Sequence, residues 1–222
     1  MFRDWTEPMK RTGVEVCAAR LPARDSRVKE KPLRSVFEAV APLAAAIFEM
    51  LDRPYVLYGH SLGAILALET ARELRRMGAR EPEQLIVSAS PAPQLPWNHP
   101  PMRHLHRDAF LEEIQERYGE IARPILNDRE LLDLLLPGLR ADVEMLETYR
   151  YSPEDPLDCP VTAYAGVLDQ TVTRTSLEAW REQTRSGFQL HMVSGDHFCL
   201  PAVQARLAID LQSDLQAVFA RI

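Results

Sequence analysis

One five-residue segment, Gly59-His60-Ser61-Leu62-Gly63, constrains the fold more than any other part of the chain. It directly follows Tyr55-Val56-Leu57-Tyr58, a short apolar run of the kind found in strands that are buried on both faces. A helix-like run from about 62 to 77 begins within the segment. A strand, a tight turn and a helix in this order are typical of α/β folds, so we expect Ser61 at the end of a strand in a parallel sheet.

Strand-like and helix-like runs alternate along most of the remaining chain, which predicts a mostly parallel sheet flanked by helices. The predicted strands are 13–19, 55–58, 84–89, 159–166 and 188–193. Ser35 and Glu38 have the spacing of a capping box and predict a helix that begins at Ser35. Further helices are predicted at 62–77 and 176–184. Apolar residues at helical spacing from Leu207 to Ile222 predict a C-terminal helix that packs on the sheet.

The stretch from about 90 to 156 interrupts this alternation. It begins with several prolines and continues with helical patterns near 108–118, 128–136 and 139–149. The whole chain, at 222 residues, has the length of one α/β domain. We therefore expect a single domain over residues 1–222, in which residues 90–156 form a helical insertion above the sheet.

Composition and charge argue against several classes of protein. Hydrophobic residues make up 46% of the chain, and no apolar run reaches the roughly 18 residues that a membrane span needs. The net charge of −6 and the absence of a secretory signal pattern predict a cytoplasmic protein without nucleic-acid or membrane partners. We also expect no metal and no cofactor. Three cysteines at wide spacing favour buried, reduced thiols over disulfides, and these are Cys17, Cys159 and Cys199.

The segment Gly59–Gly63 satisfies the G-x-S-x-G pattern that mounts a nucleophilic serine between a strand and a helix. In this setting Ser61 is the predicted nucleophile, and small glycines on both sides let the strand and the helix approach each other. The amide of Leu62, at the start of the helix, is the predicted oxyanion donor. The alternative is a serine that only caps a helix in an ordinary turn. His60 is expected to pack beside the nucleophile and not to carry a proton.

A serine nucleophile needs a histidine base and an acid that orients it, in the chain order serine, acid, histidine for this fold. His197 follows the predicted strand 188–193 at the carboxyl edge of the sheet, whereas His191 lies within that strand. Asp169 directly follows the predicted strand 159–166 and is the expected acid, although it could merely cap the next helix. Asp196 is expected to form a turn, because neighbouring side chains on one loop generally diverge.

Several motifs spread over the whole length resemble one family, the type II thioesterases that accompany modular polyketide and nonribosomal peptide synthases, which are α/β-hydrolases. The elbow alone would fit any lipase or esterase, but the other motifs are narrower. They are Phe2-Arg3-Asp4-Trp5, Arg20-Leu21-Pro22-Ala23-Arg24, Arg53–Ala64, Leu139-Arg140-Ala141-Asp142, Cys159-Pro160-Val161-Thr162-Ala163 and Gly195-Asp196-His197-Phe198.

The resemblance implies a substrate and a mechanism. The substrate would be an acyl group in thioester linkage to the phosphopantetheine arm of an acyl or peptidyl carrier protein, often a stalled or wrongly primed unit. Ser61 would be acylated, His197 would act as base, and Asp169 would orient the imidazole. The insertion 90–156 would correspond to the family's lid over the acyl channel. Its leucines, from Leu131 to Leu136, could line that channel, although packing within the lid is the better expectation.

The chain departs from the family pattern at its start. Family members usually carry a further strand and a glycine-containing loop ahead of the Phe-x-x-Trp segment, and that loop donates the second oxyanion amide. Met1 directly precedes Phe2 here, so we expect this strand and loop to be missing and assign no second donor. The family often has glycine at Ala23, a departure expected to be benign. Two alternatives to the editing thioesterase therefore stay open: a weakened or inactive hydrolase-fold protein that binds carriers, and a general serine esterase for small esters.

Overall fold

Four parallel strands form the centre of the fold, in the spatial order β1-β2-β3-β4. The structure is a computed structural model, described here for residues 5–10, 13–119 and 123–219, with only the backbone described at 123–124 and 210–219. The strands are β1 (Val56–His60), β2 (Gln84–Ser88), β3 (Val161–Gly166) and β4 (Phe188–Val193). Their carboxyl ends share one edge of the sheet, where His60 pairs with Ser88 and Gly166 pairs with Val193.

Eight helices accompany the strands in the described part of the chain. They are α1 (Thr6–Lys10), α2 (Val36–Phe48), α3 (Leu62–Arg76), α4 (Arg107–Tyr118), α5 (Arg123–Asn127), α6 (Arg129–Thr148), α7 (Arg174–Glu178) and α8 (Leu200–Phe219). Helices α4, α5 and α6 all lie between β2 and β3, in the predicted insertion. None of the helices described is long and apolar enough to cross a membrane.

The two faces of the sheet bury different side chains because successive residues of a strand point in opposite directions. Leu85 and Val87 of β2 face one cluster, together with Leu68 of α3. Ile86 between them faces a second cluster with Val203 and Leu207 of α8. Helices therefore cover both faces, which confirms the predicted α/β sheet. The side chains beyond position 209 of the C-terminal helix lie outside the described residues.

The predicted strand at 13–19 is wrong, whereas the other four predicted strands are confirmed within a few residues. Val14 and Val16 pack against the cluster that contains Trp5, so the alternation of apolar residues does report burial. The backbone, however, makes no ladder with β1 to β4; Val14 N donates to Met9 O, at 3.2 Å, in the turn after α1. Alternation signals which side chains are buried, but a strand also requires a neighbour that supplies hydrogen bonds.

The helical patterns at 128–136 and 139–149 belong to one continuous helix, α6, although Pro137 lies inside it. A proline removes one hydrogen bond from a helix, so a prediction from local sequence ends the helix before it. Packing on both sides of the proline offsets this cost, since Leu132 lies in a cluster with Phe110 and Met145 lies in a cluster with α2 and α3. Gly138 also touches the rest of the fold, because a Cβ there would meet the carbonyl oxygen of Ala23 at 2.9 Å.

Two smaller expectations are also corrected. Helix α2 follows Ser35 as predicted, but the Ser35 side chain makes no capping hydrogen bond, and Glu38 accepts one from the backbone of Arg34 instead. The predicted capping box is therefore absent. All three cysteines are free thiols, yet only Cys159 and Cys199 are buried; Cys17 is exposed.

A buried ion pair ties α3 to the end of the insertion. Arg72 and Glu69 are separated by 3.0 Å, and their side chains are 1% and 2% exposed. Arg72 also donates to the hydroxyl of Tyr151 and to Gln183 Oε1, and the Tyr149 hydroxyl donates to Glu69. Each charge is thus surrounded by hydrogen-bonding partners, which is the condition under which a buried pair is tolerated.

We expect Arg72→Met to lower the free energy of unfolding by about 3–5 kcal/mol, because it leaves the Glu69 carboxylate buried without its cation. The matched control is Arg76→Met on the same helix, whose pair with Glu73 has the same spacing but is 45% and 31% exposed. That change should cost less than ~1 kcal/mol. Urea unfolding of both variants checks the difference, and equal losses would contradict it.

Candidate active site

Ser61 lies in the turn between β1 and α3 with backbone angles of φ 54° and ψ −120°, a left-handed region that is costly for any residue with a Cβ. Its amide donates to the carbonyl oxygen of Ser88, at 2.8 Å, which fixes the turn to the end of β2. The strain at Ser61 is held by this pairing and by the helix that follows. The serine is therefore mounted as the G-x-S-x-G pattern predicts, at the carboxyl edge of the sheet.

The two glycines of the pattern have different roles. A Cβ at Gly59 would lie 2.0 Å from the carbonyl oxygen of Gly63, so the strand and the helix can approach only if position 59 is glycine. A Cβ at Gly63 would meet nothing within 4 Å. The expectation that both glycines permit the approach is thus correct for the missing side chain of Gly59 only.

We expect Gly59→Ala to destabilise the protein by at least ~2 kcal/mol, because backbone atoms cannot give way as a flexible side chain does. Gly63→Ala provides the control: its new methyl group enters open space on a helix, so its stability should stay within about 1 kcal/mol of the parent. Thermal and urea unfolding measure both. A tolerated Gly59→Ala would show that the close approach is dispensable.

The structure brings His197 and Asp169 together, as predicted, from the loops after β4 and β3. His197 Nδ1 lies 3.1 Å from Asp169 Oδ2, and the two side chains are 5% and 0% exposed. Burial raises the pKa of the Asp169 carboxyl, but hydrogen bonds from His197 and Thr171 outweigh this and lower the pKa below its ordinary value. An ionised carboxylate only accepts hydrogen bonds, so His197 Nδ1 donates to Asp169 and the ring presents Nε2 on its other side.

Thr171 is a residue of the site that the sequence interpretation missed. Its amide and hydroxyl donate to Asp169 Oδ1 at 2.9 and 2.7 Å, and its oxygen lies 3.1 Å from His197 Nδ1. Thr171 therefore holds both the acid and the imidazole. The signal was available in the sequence, because an aspartate two residues ahead of a threonine on a loop favours such a turn.

A glycine at the end of β3 allows the loop that carries His197 to come close. A Cβ at Gly166 would lie 2.3 Å from the carbonyl oxygens of both Gly195 and Asp196. Asp196 itself accepts a hydrogen bond from the amide of Phe198, at 2.9 Å, and so forms the turn that was expected of it. The close approach of the Gly166 backbone to the loop at Gly195 and Asp196 thus brings His197 within reach of Asp169.

His60, next to the nucleophile, is buried and held by a polar chain. Its Nδ1 lies 2.8 Å from the Ser88 hydroxyl, which in turn lies 2.6 Å from the hydroxyl of Tyr58. Its Nε2 is buried and has no hydrogen-bond partner in the described structure. Burial, reinforced by the neighbouring His197, lowers the pKa of His60 to about 3. His60 is therefore neutral at any physiological pH.

A buried neutral histidine makes stability depend on pH. The unfolded chain binds a proton at His60 below about pH 6.5, but the folded protein does not do so until about pH 3. Because the unfolded state binds more protons in this interval, folding stability falls as the pH drops, by up to about 1.4 kcal/mol per pH unit.

We expect His60→Asn, whose amide can keep the bond to Ser88, to flatten the loss of stability between pH 6 and pH 4. Urea unfolding at several pH values in this range measures the slope for both proteins. His104→Asn, at an exposed histidine of the insertion, is the control and should leave the slope unchanged. Parallel curves for His60→Asn and the parent would refute this account of His60.

Ser61 and His197 line the same pocket. The sheet edge contributes Ser61, Thr171 and His197. The pocket is completed by residues of the insertion and its start, which are Ala89, Ser90, Pro91, Trp97, Tyr118 and Leu146. The leucines from Leu131 to Leu136 do not line it, and Leu132 packs within the insertion. Trp97 and Tyr118 are thus pocket residues that the sequence interpretation did not single out.

Two of the sequence motifs meet through an ion pair to helix α6 of the insertion. Arg24, from the motif that begins at Arg20, forms an ion pair with Asp142 of the Leu-Arg-Ala-Asp motif. Burial raises the pKa of the Asp142 carboxyl, and the Arg24 guanidinium opposes this shift. Ala23 has a φ of 64°, a value that favours glycine. Alanine in place of the family's frequent glycine is therefore strained at this position, and not without cost as expected from the sequence.

No group of three or more metal-ligating side chains occurs among the residues that the structure describes. The expectation of a reaction without metal or cofactor remains a prediction.

A strained serine after a parallel strand and a buried Asp–His pair at the same sheet edge define the class of the protein, an α/β-hydrolase. The family model described as "Thioesterase domain" matches residues 1–212. Gramicidin S biosynthesis protein GrsT of Aneurinibacillus migulanus is 37% identical over 199 residues, which cover 90% of this chain and 77% of that protein.

Solved structures agree. The RedJ thioesterase from the prodiginine pathway of Streptomyces coelicolor matches with a TM-score of 0.85 and 36% identity, over 96% of this chain and 79% of that one. YbtT, a type II thioesterase from the yersiniabactin pathway, matches with a TM-score of 0.78 and 30% identity, over 94% and 85% of the two chains. The chain belongs to the thioesterase domain family, and its reaction is the hydrolysis of thioesters.

Proposed function

We propose that the protein is a type II, editing thioesterase that releases acyl groups from the phosphopantetheine arm of carrier proteins in polyketide or nonribosomal peptide synthesis. The observation that carries the proposal is that His197, which is paired with the buried Asp169, lines one pocket with the strained Ser61. A relative over nearly the whole chain supports the carrier as partner, since YbtT is by name a type II thioesterase of a nonribosomal peptide and polyketide pathway. The reaction requires no metal and no cofactor, and we place it in the cytoplasm.

The first half of the reaction acylates the enzyme. His197 Nε2 takes the proton of the Ser61 hydroxyl while the serine oxygen attacks the thioester carbonyl carbon. The carbon–sulfur bond breaks, and the proton on His197 passes to the departing thiol of the phosphopantetheine arm. Asp169 and Thr171 keep the imidazole in the required tautomer throughout, because both engage Nδ1.

The second half restores the enzyme. His197 removes a proton from a water molecule, which attacks the acyl-enzyme carbonyl, and the proton then returns to Ser61 as the free acid leaves. Negative charge develops on the carbonyl oxygen in both halves. The amide of Leu62, the first residue of α3, has no partner within the helix and lies at the positive end of its dipole, so we assign it as an oxyanion donor.

The proposal predicts that purified protein hydrolyses acetyl- and butyryl-carrier protein and that Ser61→Ala abolishes this activity. Retained catalysis in such variants of related triads is typically several orders of magnitude below the parent. Hydrolysis is followed by mass spectrometry of the carrier. A serine-directed fluorophosphonate probe should label the parent and not Ser61→Ala.

The control is Ser176→Ala, which removes a serine hydroxyl on α7 that bonds only to Thr173 and should leave turnover unchanged. If the probe labels Ser61 but carrier thioesters stay intact while small free esters are cleaved, the protein is a general esterase. If neither labelling nor hydrolysis occurs, the proposed function fails, and retention of the acyl-carrier protein in a pull-down would then identify a carrier-binding protein without catalysis.

A further inference from the structure

Trp97 carries a hydrogen-bond donor that no atom in the described part of the chain satisfies. Its indole nitrogen, Nε1, is buried and has no partner among the described residues. Of the residues that line the pocket with Ser61 and His197, Trp97 alone has such an atom in the part of the chain that the structure describes. A buried unpaired N–H costs free energy comparable to a lost hydrogen bond, so such groups in native structures call for an explanation.

The position of Trp97 separates it from the reacting groups. Ser61, Thr171 and His197 come from the carboxyl edge of the sheet, whereas Trp97 follows β2 and lies on the side of the pocket that the insertion builds. Its neighbours on that side are Tyr118 of α4 and Leu146 of α6. This side of the pocket contributes none of the proposed reacting groups, so it is available to the acyl chain.

The side of the pocket that contains Trp97 suits only a limited range of chemical groups. Rings and aliphatic groups suit short, uncharged acyl chains, and an indole N–H can only donate. A group that accepts a hydrogen bond there would satisfy the donor, whereas an alkyl group of equal size would leave it unpaired.

Resting on the proposed thioesterase function, we propose that Trp97 is a specificity residue whose indole N–H selects acyl groups that carry an oxygen beyond the thioester carbonyl, such as 3-hydroxyacyl groups. A site built around a buried donor favours the acyl group that carries the acceptor, because only that group gives the donor the hydrogen bond it lacks in the free protein. The selection acts on the acyl chain and is independent of the carrier.

The neighbourhood of Trp97 holds the indole in place. Its ring lies 5.1 Å, centroid to centroid, from that of His99 in an edge arrangement. Three residues earlier, Gln94 donates to the carbonyl oxygen of Ala179 at 2.7 Å and accepts from Gln183 at 2.8 Å. Trp97 is therefore positioned by a segment that is anchored to the sheet side of the fold.

The experiment compares two acyl groups of nearly equal shape, 3-hydroxybutyryl and 3-methylbutyryl, as thioesters of pantetheine. The parent should prefer the hydroxylated group in kcat/KM, and Trp97→Phe should reduce that preference by roughly 5- to 30-fold. The change in the ratio cancels the intrinsic reactivity of each thioester. A preference unchanged in Trp97→Phe, with both thioesters hydrolysed, overturns the inference and leaves the proposed function standing.

A second measurement does not depend on turnover. The chain has three tryptophans, so the indole N–H signals of ¹⁵N-labelled Ser61→Ala protein are few and are assigned with Trp97→Phe. Adding 3-hydroxybutyryl-pantetheine should move the Trp97 signal downfield, and 3-methylbutyryl-pantetheine should not. Trp180, whose N–H already donates to Ser90 O at 2.9 Å, is the internal control.

Each outcome of the second measurement decides the matter. Equal shifts with both compounds would assign the donor to the pantetheine arm or the thioester carbonyl and overturn the inference. The absence of any shift at saturating ligand would overturn it as well. A selective shift in a protein whose parent form hydrolyses neither thioester would support the role of Trp97 and refute the proposed function.

Discussion

The contact between Gly59 and the carbonyl of Gly63 is the constraint on which the rest of the site depends. It brings the end of β1 against the first turn of α3, and the chain can make this connection only if Ser61 adopts a positive φ. The cost of that conformation is of the order of 1–3 kcal/mol. Two things offset it: the bond from the Ser61 amide to Ser88, and the buried face of α3 against the sheet. The serine hydroxyl is consequently fixed by the backbone itself.

The charge balance around the nucleophile is set by two histidines and the Asp169 carboxylate. Two imidazoles, His60 and His197, lie with their centroids 5.2 Å apart, and of these two rings it is that of His197 that hydrogen-bonds to the Asp169 side chain. Burial keeps His60 neutral, and the Ser88 hydroxyl satisfies its Nδ1. A positive charge that forms on His197 during the reaction therefore meets the Asp169 carboxylate without a second cation beside it. His60 is thus a neutral packing residue, which agrees with its sequence-based interpretation.

The sheet edge was largely predictable because parallel strands place their carboxyl ends together. The apolar runs before Ser61, Asp169 and His197 indicate strands, and the carboxyl ends of these strands place the three side chains at one edge of the sheet. The strand predicted at 13–19 is wrong because a strand needs a hydrogen-bonding partner strand, which the alternation of apolar residues does not reveal. The prediction of two separate helices in place of α6 is wrong because long-range packing overrides the local effect of Pro137. Thr171 was within reach of local rules, but Trp97 was not, since nothing local marks it as a pocket residue.

The pocket joins two parts of the chain with different constraints. Its reacting side is built from strand ends whose positions are set by backbone contacts, so a side chain added at Gly59 or Gly166 would disturb the fold. Its acyl side is built from the insertion, where side chains such as Trp97 and Leu146 can be exchanged without touching the Gly59 contact. The buried Arg72 connects the two parts, since Gln183 binds Arg72 and also Gln94. Specificity for the acyl group can therefore change among such proteins while the geometry of the nucleophile, base and acid stays the same.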